Sequence, residues 1–144
     1  MRTPRPRTRA LAGVAIVLTL ALAACMSAEQ TRAVDALNRD RRAHGLRSLP
    51  THDALNQKAQ AWADKIARDN RLSHSNLAQG LPGCYRSAGE NVGYDSSVEA
   101  VEAGYMASPG HRANILDRKW THVGVGAARN GSRWFTVQVF LQAC

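Results

Sequence analysis

The sequence predicts an α+β domain whose helices come first and whose strands come last. Three observations carry this reading. Leu55, Ala59, Trp62 and Ile66 recur at i, i+4, i+7 and i+11, the stripe of a core-facing helix. Near the end the period changes to that of strands, in His122-Val123-Gly124-Val125-Gly126 and in Trp134-Phe135-Thr136-Val137-Gln138-Val139-Phe140. Asn130-Gly131 lies between these runs and is the strongest short hairpin signal. Helices followed by strands in one small domain imply layered α+β packing.

The first 24 residues are expected to be a leader and not part of the fold. Arg2, Arg5, Arg7 and Arg9 form a basic start, and an apolar run from Ala10 to Ala24 follows. That run is short for a membrane span and has the flanks of an export signal. It ends in Leu22-Ala23-Ala24-Cys25, which resembles the lipobox of bacterial lipoproteins, where the cysteine is lipidated and becomes the new N-terminus. Plain secretion after a small-residue cleavage site is the alternative. The expected organisation is a leader over 1–24, a lipidated N-terminus and short tether over 25–28, and one domain over 29–144.

Cysteine usage agrees with this division. Of Cys25, Cys84 and Cys144, lipidation would consume the first and leave an even pair. Outside the cytoplasm Cys84 and Cys144 are expected to form a disulfide. Closing that loop is worth about 4 kcal/mol on the chain-entropy model. The formal charge of +8 includes the four leader arginines, so the mature chain carries a mild +4. Such a balance favours anionic lipid head groups or wall polymers and gives no reason to expect nucleic acid as a partner.

Element by element, Glu29 to His44 reads as a helix on Ala33, Val34 and Leu37, stopped by Gly45. Its dense basic run, Arg39-Asp40-Arg41-Arg42, reads as a solvated face. Pro50 breaks the chain, and Thr51 or Asp53 can cap the second helix, where Trp62 reads as core. Asn70 to Ala88 reads as a Gly/Pro/Ser-rich connection. A third helix is expected from Ser97 to Ala107 on Val98, Val101 and Tyr105, with a short fourth from Ser108. Asn130-Gly131-Ser132 also fits a glycosylation sequon, but a type I′ turn accounts for it. Gly124-x-Gly126 lacks the third glycine and following helix of a dinucleotide loop.

Two stretches carry chemistry: Gly89-Glu90-Asn91-Val92, and Ser108-Pro109-Gly110-His111-Arg112-Ala113-Asn114-Ile115-Leu116. Ser108 followed by Pro109 is a helix start, which places His111 at the third helical position. The positive end of the helix there disfavours imidazolium, so His111 should be neutral near pH 7. His74 stands in a polar Ser-His-Ser segment. A carboxylate and two imidazoles at long irregular spacing meet only through a fold, so His74, Glu90 and His111 are expected to share a cleft. Alone, Glu90 reads equally as a loop carboxylate bonded to nearby N–H groups. His44, His52 and His122 read as surface histidines.

These motifs resemble the CAP superfamily: cysteine-rich secretory proteins, venom antigen 5 and plant pathogenesis-related proteins. The resemblance runs from Leu37-Asn38 through Gln138-Val139-Phe140. It implies a three-layer α-β-α sandwich with a central antiparallel sheet, and a cleft with two histidines and two acids that binds zinc or another divalent cation in some members. His74, Glu90 and His111 map onto three of those four. Ser108 stands where the second acid would be and Tyr105 replaces a tryptophan, so a tight site is not expected. Glu102 flanks the apolar stripe of the third helix; compensation for the missing acid is one reading, and a solvated carboxylate is the better one. Asn91, Ser108 and Gln138 are expected to line the cleft. The resemblance implies a monomeric, lipid-anchored, exported binding module for a lipid, sterol-like or envelope ligand. Its alternatives are a metal-assisted hydrolase using His74, Glu90 and His111, or a structural envelope protein with a vestigial cleft. No His-Glu-x-x-His, Gly-x-Ser-x-Gly or free cysteine nucleophile favours the hydrolase.

Overall fold

A computed structural model describes residues 25–144, so the expected leader over 1–24 lies outside the described residues. The elements, in chain order, are α1 (Ala28–Ala43), α2 (Asp53–Asp69), β1 (Tyr85–Asp95), α3 (Val98–Ala107), α4 (Pro109–Leu116), β2 (His122–Asn130) and β3 (Arg133–Ala143). The strands form one antiparallel sheet in the order β1-β3-β2. The α+β expectation holds, and helices cover both faces of the sheet as a three-layer sandwich.

Local chemistry sets most boundaries. Ser27 and Gln30 close a capping box at the start of α1: the Ser27 hydroxyl accepts from Gln30 N at 3.1 Å, and Gln30 Oε1 accepts from Ser27 N at 2.8 Å. The α2 start differs from expectation. His52, not Thr51 or Asp53, is the cap, its Nδ1 accepting from Ala54 N at 3.2 Å. Thr51 is occupied by a parallel bridge to Val123. The turn between β2 and β3 also differs. Asn130 still pairs with Arg133, and Gly131, at φ +59°, leads a two-residue Gly131-Ser132 loop. Positive φ at the first central position alone fits type II′, not type I′. Asn130 is thereby free to bond elsewhere, and its Nδ2 donates to Ala67 O at 2.7 Å, at the end of α2.

The element missed from sequence is β1. Its glycines and polar residues have weak strand propensity, and the segment is a strand because β3 pairs with it along its length. Asn91 stands opposite Gln138, and Glu90 opposite Val139. The Cys84–Cys144 disulfide, with Cα atoms 5.5 Å apart, ties the entrance of β1 to the end of β3.

Side-chain alternation along β3 divides the core. Phe135, Val137, Val139 and Leu141 pack with Leu55, Ala59 and Ile66 beneath α2. Phe140 joins Val123, Val125, Tyr105 and Trp120 on the other face, beneath α1, α3 and α4. On the α2 face, β2 presents Gly124 and Gly126 in place of side chains. A Cβ at Gly126 would lie 2.2 Å from Ala59 O, so the glycines let helix and strand backbones touch.

Two residues sit differently from their sequence expectation. Arg41 does not lie on a solvated face; it is fully buried. Its Nη1 donates to Ile115 O at 2.6 Å and Asp117 O at 3.0 Å, and its Nε to Arg47 O at 3.0 Å. One side chain thus satisfies the carbonyls that end α4; Arg41 follows Val34 and Leu37 on the buried stripe of α1, but its partners lie far away in the chain. Trp62 is only half-buried. Its indole N–H donates to Ser73 O at 2.7 Å and holds the segment after α2 against that helix.

Candidate functional site: a cleft braced by Glu90

Strand geometry places neighbouring residues of the Gly89-Glu90-Asn91-Val92 motif on opposite faces of the sheet. Glu90 shares the α2 face with Val92, and Asn91 shares the α3/α4 face with Gln138. The segment after α2 crosses the edge strand at this point and brings His74 and Ser75 onto Glu90.

Glu90 is buried at 7 % exposure, and both its oxygens are engaged. Oε1 lies 2.8 Å from His74 Nδ1 and accepts from Ser75 N at 2.9 Å. Oε2 accepts the Ser75 hydroxyl at 2.5 Å. His74 is otherwise open to solvent. The carboxylate orients one imidazole and pins the backbone beside it.

His111 is half-buried at the third position of α4, its ring 5.0 Å from the Tyr105 ring. Its pKa is lowered, first by burial and then by the neighbouring charge of His74. The direction is the expected one; the causes are desolvation and a second imidazole. Ser108 is the N-cap residue of α4 but makes no side-chain capping bond.

Beneath α4 runs a chain of amides. Asn91 Nδ2 donates to His111 O at 3.1 Å and to Gln138 Oε1 at 2.9 Å. Asn91 Oδ1 accepts from Asn114 Nδ2 at 2.9 Å, and Gln138 Nε2 donates to Glu102 Oε2 at 2.5 Å. Asn91 and Gln138 are buried in this network, not exposed on the cleft wall. Glu102 corrects the sequence reading outright, since it is 2 % exposed with Oε1 unpartnered. Burial, chiefly, raises its pKa to about 7. The signal was present: 98, 101, 102 and 105 are one helical stripe, and a carboxylate on that stripe faces inward.

Among the described residues, no group of three or more His, Cys, Asp or Glu side chains is spaced to hold a metal ion. As arranged, His74, Glu90 and His111 do not fit a three-donor site, because Glu90 spends its oxygens inside the protein. His44 and His52 are surface or capping residues, and His122 is half-buried with Nδ1 3.0 Å from the Thr121 hydroxyl.

Beside the Glu90 cluster, between α2 and the segment that follows it, lies a groove of about 440 Å³. Ala54, Ala61 and Trp62 supply its apolar wall, with Ser75, Asn76 and Lys58 at its polar side. Lys58 Nζ donates to Asn76 O at 2.9 Å and Gln79 O at 2.7 Å, holding the far wall in place. Burial lowers the Lys58 pKa, against the opposing charge of Glu90. Lys58, Ser75 and Trp62 as groove residues were not foreseen; only the adjacency of Ser75 to His74 hinted at them.

A three-stranded antiparallel sheet with helices on both faces defines a class of α-β-α sandwich. The chain belongs to the cysteine-rich secretory protein (CAP) family, whose model matches residues 34–141. It is 34 % identical over 119 residues to protein YkwD of Bacillus subtilis, covering 76 % of this chain and 46 % of the relative. The membrane protein YlbC of the same organism is 31 % identical over 107 residues, covering 67 % of this chain. The chain spans less than half the length of both curated relatives, 46 % and 30 %. Among solved structures, an extracellular SCP-domain protein from Bacillus anthracis is similar with a TM-score of 0.66 and 25 % identity, covering 79 % of this chain and 40 % of that one. An outer surface protein of Borrelia burgdorferi shares the fold at a TM-score of 0.69 and 14 % identity, covering 81 % and 93 %.

Proposed function

We propose that this chain is an exported, lipid-anchored binding module of the cell envelope, and that its groove receives an amphipathic ligand of lipid or sterol-like character. One observation carries the reading. The Ser75 hydroxyl and His74 Nδ1 both bond Glu90, so the cluster contains no serine held by an imidazole and instead braces a groove wall. An apolar body against Ala54, Ala61 and Trp62, with a polar end at Lys58 and Ser75, matches that lining. Export is supported by the leader and the disulfide. Anchoring is supported by Cys25, which is exposed and free. No described helix is long and apolar enough to cross a membrane.

A divalent cation in the cleft remains a proposal resting on the two imidazoles. No chemical step is routed through it. The hydrolase alternative rests on His111, half-buried near His74, with a pKa lowered by burial and by that second imidazole.

The test is mass spectrometry of whatever co-purifies with the full-length lipidated protein, followed by saturation binding of that molecule. Binding that survives His111→Ala, weakens with the loosened wall in Glu90→Gln and falls most with Trp62→Ala supports the module. Turnover lost in both cleft variants would replace it with the hydrolase. Cys25→Ser should release the protein from membranes; a mature N-terminus elsewhere would sink the anchor.

A further inference from the structure

A second pocket, of about 290 Å³, is lined by Arg41, Gly45, Leu46, Arg47 and Arg118, and shares no residue with the cleft or its groove. Three guanidiniums converge on it from the end of α1, the loop that follows, and the segment after α4. The neighbouring acid Asp117 offsets only part of the Arg41 charge and spends its carboxylate on Lys119. Asp117 accepts from Lys119 N at 3.0 Å and pairs with Lys119 Nζ at 3.0 Å. Arg118 makes no hydrogen bond or ion pair among the described residues, and Arg47 contributes one Nη2 bond, to Trp120 O at 2.9 Å.

Behind them, Arg41 is fully buried, and its Nη2 has no hydrogen-bond partner. A buried, unpartnered donor on a cation is expensive, and native structures rarely carry one without a ligand or water to meet it. Arg47 is close enough to lower the Arg41 pKa, after burial, the larger cause. The carbonyls ending α1 offset part of this charge but are already taken by backbone N–H groups of His44, Gly45 and Leu46. What is missing from the cluster is an anion with several acceptor oxygens.

We propose that this pocket binds a phosphate-type oxyanion, with Arg47 and Arg118 as the contacting forks and Arg41 as the buried charge behind them. Planar guanidiniums match tetrahedral oxyanions through paired hydrogen bonds, and the volume admits a phosphate with a small attached group. The phosphate can belong to a soluble phosphoester or to a phospholipid head group.

The experiment follows the backbone amides of Gly45 and Leu46 by NMR in the full chain. Inorganic phosphate and glycerol phosphate are titrated at constant ionic strength, then phosphatidylglycerol vesicles against phosphatidylcholine vesicles. Saturable shifts are expected with the soluble phosphates, and Arg118→Gln, a surface change that leaves the core untouched, should weaken them about tenfold. A response restricted to phosphatidylglycerol vesicles, and lost in Arg118→Gln, assigns the head group as the source and also supports the site. Arg41→Met is informative only if folded, and Arg118→Gln does not depend on it. Unmoved amides in every arm, or equal responses in wild type and Arg118→Gln, overturn the proposal.

Discussion

The two faces of the sheet are built from different materials. Beneath α2 the strand β3 contributes apolar side chains, with Phe135, Val137 and Val139 completely buried, and glycines on β2 let backbones meet, while the polar bonds there come from Asn56 and Gln60 of α2 and from Glu90. Beneath α3 and α4 the same strand, β3, contributes Thr136 and Gln138, and the space between helix and sheet holds Asn91, Asn114 and Glu102. The first face supplies stability through area removed from water. The second gives up part of that gain for a directed hydrogen-bond chain that sets the position of His111. A face that positions a functional side chain needs directional bonds, and apolar packing alone offers none.

The sharpest break of this contrast is Phe135→Ala on the apolar face. Truncating a fully buried aromatic should cost about 4 kcal/mol, read as a lower urea midpoint with the groove ligand's affinity unchanged in the folded fraction. A loss below 1 kcal/mol, taken as roughly the lower edge for core truncations, would remove the assignment of stability to this face.

Glu102→Gln probes the polar face. Its folded pKa of about 7 lies above the ordinary 4.5, so the folded state holds the proton more tightly. Its contribution is therefore fully present below pH 4.5 and is lost as pH rises through about 7. The full swing is about 3 kcal/mol, and Glu102→Gln should flatten that slope in melts taken across this window. An unchanged slope would place the titration elsewhere.

Glu90→Gln weakens the charge-assisted bonds to Ser75 and His74 and should destabilise the protein by about 2 kcal/mol. If Glu90 is a brace, zinc shifts the melting temperature of the variant and the wild type equally. A zinc-dependent rise in wild type alone would restore it as a ligand.

His111→Ala should have the smallest effect on stability. The His111 pKa is lowered on folding, so its contribution is present above the unfolded histidine range and is lost as pH falls through the folded value. The variant should lose that small acid-side slope, opposite in sign to the one from Glu102. Thermal melts of both single variants and the double variant separate the two slopes.

Much of this was legible in the chain because it is local. The α1 and α2 stripes, the Ser108-Pro109 start that presents His111, and the hairpin signal around Gly131 all depend on neighbours within a few residues. Distant partners decide the rest. β1 is a strand because β3 lies beside it, Glu102 finds a partner in Gln138, and Arg41 finds its acceptors at the end of α4.

The sequence by itself determined the helix and hairpin positions, the cysteine pair, and which residues could carry chemistry. Only the tertiary structure decided that Glu90 braces His74 and Ser75, that Asn91 serves the opposite face, and that three arginines surround one pocket. Periodicity reports which way a side chain points from its own element. It carries no information on which group waits there, because that is set by contacts between residues far apart in the chain.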